Sequence, residues 1–228
     1  SEKETQKQAG GVGSSQASQQ GPIPDILENQ ISAREALGET WAVSVQTLED
    51  SEHDSQIYEY HGDVSMQSAS VIKVFIMGAV YDRMCYPSSP DRLISMNESY
   101  DGELRDLLEQ MITVSDNNAA NRLVELLGEG DFQKGAQVVN QFCEEYGFES
   151  TRLGRRFLEE NPSDDNYTSA ADCTKILSMI YEGECVGQEA SEKMLDILNR
   201  QTNTVKIPSG LPQGTRTANK TGEMPEGY

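Results

Sequence analysis

The stretch Ser65–Val80 reads SMQSASVIKVFIMGAV, and from Val71 onward every residue is apolar or small except Lys73. A helix that is apolar on all sides lies in a protein core. A lysine buried there loses its proton more easily than usual, because desolvation disfavours the charged form. Positions i and i+3 share a helix face, so Lys73 lies beside Ser70 and can serve as its base. Taken alone, the stretch favours a capped helix whose lysine reaches the surface.

Two further short motifs follow in the chain, and they change this interpretation. The pattern S-x-x-K at Ser70–Lys73 is followed by S-D-N at Ser115–Asn117 and by K-T-G at Lys220–Gly222. S-x-x-K is expected about once by chance in a chain of this length, whereas S-D-N and K-T-G are each expected roughly a few hundredths of a time. Their occurrence together and in this order points to one catalytic constellation.

With these motifs the chain resembles the serine β-lactamase and penicillin-binding protein superfamily, most closely class A. The segments Leu107–Gly128, Ser150–Phe157 and Gly210–Glu223 also look like class A segments, and the resemblance covers most of Ile23–Glu223. It implies an α/β (α+β) fold that is like that of β-lactamases and transpeptidases. In that fold an antiparallel sheet is flanked by helices and an all-helical domain is inserted.

The resemblance assigns the catalytic roles to three side chains. Ser70 would be the acylated nucleophile, Lys73 would assist removal of its proton, and Ser115 would relay a proton to the leaving nitrogen. The backbone N–H groups of Ser70 and Glu223 would form the oxyanion hole, in which one donor is typically worth ~3 kcal/mol.

The resemblance also assigns the substrate-binding residues. Asn117 would hold the substrate's side-chain amide, while Lys220 and Thr221 would bind its carboxylate. Gly222 would let the strand backbone approach the ligand closely. Without the resemblance, Ser115 and Asn117 would be interpreted as helix-capping residues and Lys220 as a surface lysine.

The sequence departs from class A where the acyl-enzyme should be hydrolysed. In the family, the loop after the R-L-x-R pattern carries a glutamate that activates water. Aligning Arg152–Arg155 without a gap puts Phe157 at that position and Asn161 at the position of the family's loop asparagine. Phe157 cannot act as a base, and Glu159 or Glu160 could replace it only if the loop takes another course. We therefore expect slow deacylation.

Composition divides the chain into a tail and one domain. Residues 1–22 are rich in Gly, Ser and Gln and predict a disordered linker. Residues 23–228 would form the catalytic domain, with an α/β part at 23–85 and 203–228 and a helical part at 86–202. Because the chain does not begin with Met, we expect that something upstream was removed.

Hydrophobic periodicity predicts the main elements. Alternating residues predict strands over Trp41–Leu48 and Gln56–Tyr60, and a long loop covers Gly147–Thr168. Helical spacing predicts a helix over Ile23–Leu37, which Gly38 would end, and five more helices over Leu104–Val114, Asn118–Leu127, Phe132–Tyr146, Ser169–Tyr181 and Glu189–Asn199.

The end of the chain conflicts with the family pattern. A short strand is predicted around Thr215–Thr221, but the two strands and the final helix that follow in the family are missing from this sequence. The sheet would then have a gap beside Trp41–Leu48, and unpaired buried backbone is costly. We expect a truncated or nicked chain, or an incomplete record.

Charge and composition exclude several classes of function. The formal net charge of −20 argues against binding nucleic acid or an anionic membrane surface. No apolar run reaches the ~18 residues of a membrane span. Two histidines and no CxxC pattern argue against a zinc site, and no cofactor is expected. Cys85, Cys143, Cys173 and Cys185 allow three disulfide pairings or free thiols, and the sequence does not choose between them.

Three functional hypotheses follow. The first is a serine hydrolase that opens β-lactam rings through an acyl-serine intermediate, as in antibiotic breakdown and resistance. The second is a D-alanyl-D-alanine peptidase acting on peptidoglycan stem peptides, and the third is a penicillin-binding module without turnover. The linker-like tail and the resemblance favour a bacterial protein that is secreted or lipid-anchored at the cell surface, and we expect a monomer.

Overall fold

The computed structural model describes residues 22–48, 54–86, 100–159 and 163–224. Within these ranges the helices are α1 (Pro22–Glu35), α2 (Lys73–Val80), α3 (Tyr100–Thr113), α4 (Asn117–Leu127), α5 (Phe132–Glu145), α6 (Ala170–Glu182) and α7 (Gln188–Asn199). The strands are β1 (Val43–Thr47), β2 (Gln56–Tyr60), β3 (Met66–Gln67) and β4 (Tyr167–Thr168).

The central element of the fold is one continuous helical run. It begins with a 3₁₀ turn at Ala69–Ile72, continues as α2, and ends with a π-helical turn at Tyr81–Cys85. Every residue of α2 is buried, including Lys73. Helices α3, α4 and α5 pack around it. The predicted core helix is therefore confirmed.

The helices that surround α2 begin where the sequence places side-chain caps. Asp116, Asp131 and Ser169 precede α4, α5 and α6, and each accepts a hydrogen bond from a backbone N–H of the first helical turn. Such caps satisfy donors that have no partner within the helix. Gly183 ends α6 with a left-handed φ of 82°, a conformation that glycine adopts without strain. The predicted helices are confirmed to within a few residues at each end.

The strands form two small antiparallel sheets. Strands β1 and β2 pair as a hairpin from Val43 opposite Tyr60 to Thr47 opposite Gln56, which confirms the two predicted strands. The hairpin packs against α6, where the Thr174 hydroxyl donates to the carbonyl of Ser44 at 3.2 Å. Strands β3 and β4 pair over two residues and attach the end of the predicted long loop to the chain just before the central helix.

The predicted strand at Thr215–Thr221 is wrong. The structure gives this segment no strand pairing, and within the described residues β1 pairs only with β2. A strand needs a neighbour whose backbone groups are in register, and the part of the chain that the structure describes provides none for this segment. A single backbone hydrogen bond, from the N–H of Asn219 to the carbonyl of Leu198, fixes it to the end of α7 instead.

The structure tests several other predictions only in part. Residues 1–21 of the predicted linker lie outside the described residues, and Pro22 begins α1. Helices α3 to α7 all fall in the predicted helical part, 86–202. The four cysteines are free thiols in the structure. None of the described helices has the length and apolar character that crossing a bilayer requires.

We predict that Gly135→Ala destabilises the protein at the contact between α4 and α5. A Cβ atom at this position would lie 1.7 Å from the carbonyl oxygen of Val124, so the two helices would have to separate. Overpacking of this kind typically costs at least about 1–3 kcal/mol of the free energy of unfolding. Urea unfolding followed by circular dichroism measures the loss.

Gly102→Ala is the matched control, because a Cβ atom there meets nothing within 4 Å and the residue lies in α3. Alanine in an exposed helix should raise the free energy of unfolding by about 0.5–1 kcal/mol. Equal effects of the two substitutions would contradict the packing argument.

Candidate active site

Ser70 lies at the entrance of the central helical run and is half-buried. The preceding residue, Ala69, has a φ of 44°, which is left-handed and unusual for a residue with a Cβ atom. Around this turn, the N–H of Val71 donates to the carbonyl of Ser68 at 3.0 Å, and the N–H of Ser68 donates to the carbonyl of Asn166 at 2.8 Å. Backbone strain of this kind persists only where surrounding contacts hold it, and it often marks functional sites.

Lys73 is fully buried, and its ammonium group is held by the S-D-N segment. Its Nζ donates to the carbonyl of Ser115 at 2.6 Å and to Oδ1 of Asn117 at 2.7 Å, and it lies 3.2 Å from Oγ of Ser115. The pKa of Lys73 is lowered to about 7, first by burial and then by the charge of Lys220, while Asp116 opposes the shift. Near neutral pH a large fraction of this amine is therefore unprotonated and able to accept a proton.

Ser115 connects this lysine to the third motif. Its backbone has a left-handed φ of 60°, and its Oγ lies 2.8 Å from Nζ of Lys220, which also donates to the carbonyl of Thr221 at 2.7 Å. Burial lowers the pKa of Lys220 to about 8, and Glu223 raises it in opposition. One hydroxyl thus lies within hydrogen-bond distance of two amines whose pKa values are both lowered, an arrangement suited to proton transfer.

The K-T-G segment passes close to the entrance of the central helical run. A Cβ atom on Gly222 would lie 3.0 Å from the carbonyl oxygen of Ser68 and 3.0 Å from a methyl group of Val71, so the contact favours glycine. The Thr221 hydroxyl accepts a hydrogen bond from the amide of Asn203 at 3.3 Å. The backbone around Gly222 therefore lies beside the turn that carries the proposed nucleophile.

The Phe157 side chain packs against the buried lysine. It is 8% exposed, and its ring centroid lies 4.8 Å from Nζ of Lys73. Asn121 fixes the backbone here, because its Oδ1 accepts from the Phe157 N–H at 2.9 Å and its Nδ2 donates to the Phe157 carbonyl at 3.0 Å. The carboxylate of Glu159 accepts from the N–H of Arg156 at 3.3 Å. Among the described residues of this loop, an aromatic ring and not a carboxylate therefore contacts the amine of Lys73.

The loop that carries Phe157 is attached to the chain before Ser70 by polar contacts. Oδ1 of Asn166 accepts from the N–H groups of Gly154 at 2.9 Å and Arg155 at 3.0 Å. Asp165 forms an ion pair with Arg155 at 2.8 Å and accepts from the Gln67 amide at 2.7 Å. These contacts hold the loop in one place relative to the nucleophile.

The structure brings the predicted residues of the three motifs together. Lys73, Ser115, Asn117 and Lys220 are linked by direct hydrogen bonds, and Gly222 packs against the turn before Ser70. Glu160 and Asn161 lie outside the described residues. Among the described residues no group of three or more His, Cys, Asp and Glu side chains is placed to hold a metal ion.

Sequence reasoning missed three asparagines that support the site, namely Asn121, Asn166 and Asn203. A signal was present for Asn121, which follows Asn117 by four positions and so shares its face of α4. The other two lie in irregular segments, where spacing carries no information about side-chain direction.

The serine and lysine of one buried helical run thus lie close to the S-D-N and K-T-G segments, which is the motif arrangement of serine β-lactamases and penicillin-binding proteins. The family model described as "beta-lactamase enzyme family" matches residues 25–227. The chain belongs to that family, which confirms the resemblance seen in the sequence.

Individual relatives agree with this assignment. A beta-lactamase of Streptomyces cellulosae is 31% identical over 124 residues, which are 52% of this chain and 38% of that relative. The structure of a beta-lactamase from Sphaerobacter thermophilus has a TM-score of 0.69 at 24% identity, covering 87% of this chain and 78% of that chain. A PBP-A mutant in an acyl-enzyme complex with penicillin G has a TM-score of 0.66 at 26% identity, covering 87% and 78%. The predicted fold class is thereby confirmed.

We predict that Lys220→Met raises the pKa of Lys73, because the positive charge of Lys220 lowers it. The new value should remain below the ordinary 10.5, since burial is the larger cause and is unchanged. Titration of lysine ¹³Cε resonances by NMR measures the shift.

Lys134→Met, on the exposed side of α5, removes an equal charge and should leave the titration of Lys73 unchanged. An unaltered Lys73 titration in Lys220→Met would contradict the proposed coupling of the two amines.

Proposed function

We propose that this chain recognises β-lactams and opens their ring by acylation of Ser70. The observation that carries the proposal is the state of Lys73, a fully buried amine with a pKa of about 7, one helical turn from Ser70 and bonded to the S-D-N segment. A nucleophilic serine needs a neighbouring base, and a desolvated lysine is one. Membership of the beta-lactamase enzyme family supports the same reaction class.

The proposed acylation proceeds in two proton-coupled stages. Oγ of Ser70 attacks the lactam carbonyl carbon while Nζ of Lys73 accepts its proton, and the negative charge moves to the carbonyl oxygen. The C–N bond of the ring then breaks, and the Ser115 hydroxyl delivers a proton to the leaving nitrogen. Ser115 regains a proton from Lys73 or Lys220, which lie 3.2 Å and 2.8 Å from its Oγ. The product is an ester between Ser70 and the opened β-lactam.

We propose that hydrolysis of this ester is slow. Attack by water needs a base beside the acyl group, and general-base assistance typically contributes ~10²–10⁴-fold to a rate. The Phe157 ring occupies the wall of the site next to Lys73 and provides no acceptor. The nearest described carboxylate in the loop sequence, Glu159, accepts from the backbone of Arg156 instead.

A D-alanyl-D-alanine peptidase or a penicillin-binding module without turnover is the second candidate. Phe157 favours it, since an acceptor of penicillin needs acylation but no rapid hydrolysis. The similarity to a PBP-A mutant that forms an acyl-enzyme with penicillin G is consistent with it. For either candidate we propose a monomeric protein secreted or anchored at the bacterial cell surface, where stem peptides and β-lactams are met.

We predict a single burst of colour with a chromogenic cephalosporin, of about one equivalent per protein, followed by a slow phase. Intact-mass spectrometry over the same period should show a stable adduct on Ser70. The described residues provide a base for acylation, Lys73, but none that is placed to activate water for deacylation. Many fast turnovers would support an efficient β-lactamase and contradict slow hydrolysis. If the parent formed no adduct and matched Ser70→Ala, the acyl-serine proposal would be overturned. Cleavage of a stem pentapeptide by the protein would support the D-alanyl-D-alanine peptidase.

We predict that Phe157→Glu accelerates loss of the adduct by about 10²-fold or more, within the range of general-base catalysis. The two hydrogen bonds between Asn121 and the backbone of residue 157 hold this position, so the new carboxylate would replace the ring beside Lys73. The decay of the adduct mass, after removal of free β-lactam, gives the rate.

Phe157→Leu is the matched control, because it opens the same space without adding a base. If leucine and glutamate accelerated deacylation equally, exclusion of water by the ring, and not the missing base, would explain the slow step.

A further inference from the structure

Arg156, the residue before Phe157, is held between two helices. Its guanidinium donates to Oε1 of Glu125 in α4, from Nη1 at 2.7 Å and also from Nη2. Its Cζ lies 4.7 Å from the ring centroid of Phe132, the first residue of α5. A planar guanidinium can pair with a carboxylate and stack on an aromatic face at the same time. We call the contacts of Arg156 with Glu125 and Phe132 the clamp.

The clamp joins the loop to the helices that pack on the central helix. The ion pair of Arg155 with Asp165, in contrast, joins two parts of the loop itself. On α4, Glu125 follows Asn121 by four positions, so both side chains lie on one face of the helix. Asn121 holds the backbone of residue 157 and Glu125 holds the side chain of residue 156. Helix α4 therefore fixes two consecutive residues of the loop.

The position of residue 157 determines how well the amine of Lys73 is shielded from water. The Phe157 ring is 8% exposed, and its centroid lies 4.8 Å from Nζ of Lys73. Burial is the largest cause of the lowered pKa of Lys73, and the charges that act on it are those of Lys220 and Asp116. Displacement of the ring would admit water to the amine and favour its charged form. The contacts that hold the ring therefore bear on the state of the base.

We propose that Arg156 is a positioning residue, because its clamp keeps the Phe157 ring against Lys73 and so keeps the amine desolvated. Arg156 acts through the ring and not by contact with a reacting atom. The consequence for acylation rests on the proposed function, whereas the effect on Lys73 is a property of the protein without ligand. The side chains of Arg156 and Glu125 are 37% and 26% exposed, so their substitution leaves no fully buried charge.

Two substitutions of opposite charge test the proposal. Arg156→Gln and Glu125→Gln each break the clamp, and both should raise the pKa of Lys73 by about one pH unit, because each lets water reach the amine. The titration is followed by NMR of lysine ¹³Cε resonances without any β-lactam. Charges acting through space would shift the pKa in opposite directions, since loss of a nearby cation raises the pKa of a lysine and loss of an anion lowers it. Opposite shifts, or no shift, would overturn the proposal.

Arg122→Gln is the matched control. Nη1 of Arg122 lies 4.0 Å from Oε2 of Glu125, and its Nε lies 3.1 Å from Oε1 of Glu103. The substitution removes a cation beside the same carboxylate and leaves the clamp in place, so the titration of Lys73 should not change. A shift as large as that in Arg156→Gln would overturn the proposal. Arg156→Lys keeps the charge without the planar fork and should give a smaller shift, and it replaces Arg156→Gln in the comparison if that variant does not fold.

A double substitution tests whether the clamp acts through the ring. In Phe157→Ala the ring is absent, and the pKa of Lys73 should already be raised. Adding Arg156→Gln to this protein should then cause little further change, because the clamp no longer has a ring to position. Equal rises with and without the ring would show that Arg156 acts on Lys73 by another route and would overturn the proposal.

The pH profile of acylation by benzylpenicillin, followed by intact mass, connects the clamp to the proposed function. Arg156→Gln should lower the rate about 5-fold at pH 7, because the neutral fraction of Lys73 falls from about a half to about a tenth. Near pH 9 the parent and the variant should acylate at similar rates. A loss of structure would instead lower the rate equally at every pH, and that result would overturn the role of the clamp in acylation.

The outcomes separate the inference from the function on which it rests. If the parent is acylated but the titration of Lys73 is the same in all variants, the inference is overturned and the acyl-serine function stands. If the parent is never acylated, the proposed function fails, and the NMR titrations still decide whether the clamp holds the ring against Lys73.

Discussion

The buried amine of Lys73 is the constraint on which the site depends. A charged group without partners in a protein core is strongly unfavourable, and the structure meets this cost in two ways. The carbonyl of Ser115 and the amide oxygen of Asn117 accept hydrogen bonds from the amine, and its pKa falls to about 7. Burial and the charge of Lys220, and not these contacts, lower the pKa, so that a large fraction of the amine is unprotonated near neutral pH.

Much of the surrounding fold serves to keep those partners in place. Ser115 has a left-handed backbone, and Asp116 caps α4, so the S-D-N segment is fixed at the start of a helix that packs on α2. From the other side, Lys220 bonds the same serine and adds a positive charge that lowers the pKa of Lys73 further. Two lysines this close would repel each other if both were protonated, and this favours loss of a proton from one of them.

Phe157 is the second side chain that shapes the surroundings of Lys73. An aromatic ring over an ammonium group is a favourable contact, and it also covers the amine from solvent. Under the proposed function, the residue that contacts the acylating base thus occupies the place where hydrolysis of the acyl-enzyme would need an acceptor.

The sequence by itself determined the central helix, the helices around it and the identity of the motif residues. These features depend on local rules, namely the apolar run from Val71 to Val80, the helical spacing of apolar residues, and rare tripeptides in a fixed order. The strand predicted at Thr215–Thr221 failed for a non-local reason, because a strand exists only with a neighbour to pair with. Only the tertiary structure decided that the Phe157 ring contacts Lys73 and that Asn121 holds it there. Those contacts join residues far apart in the chain, and their geometry is set by packing, which no spacing in the sequence encodes.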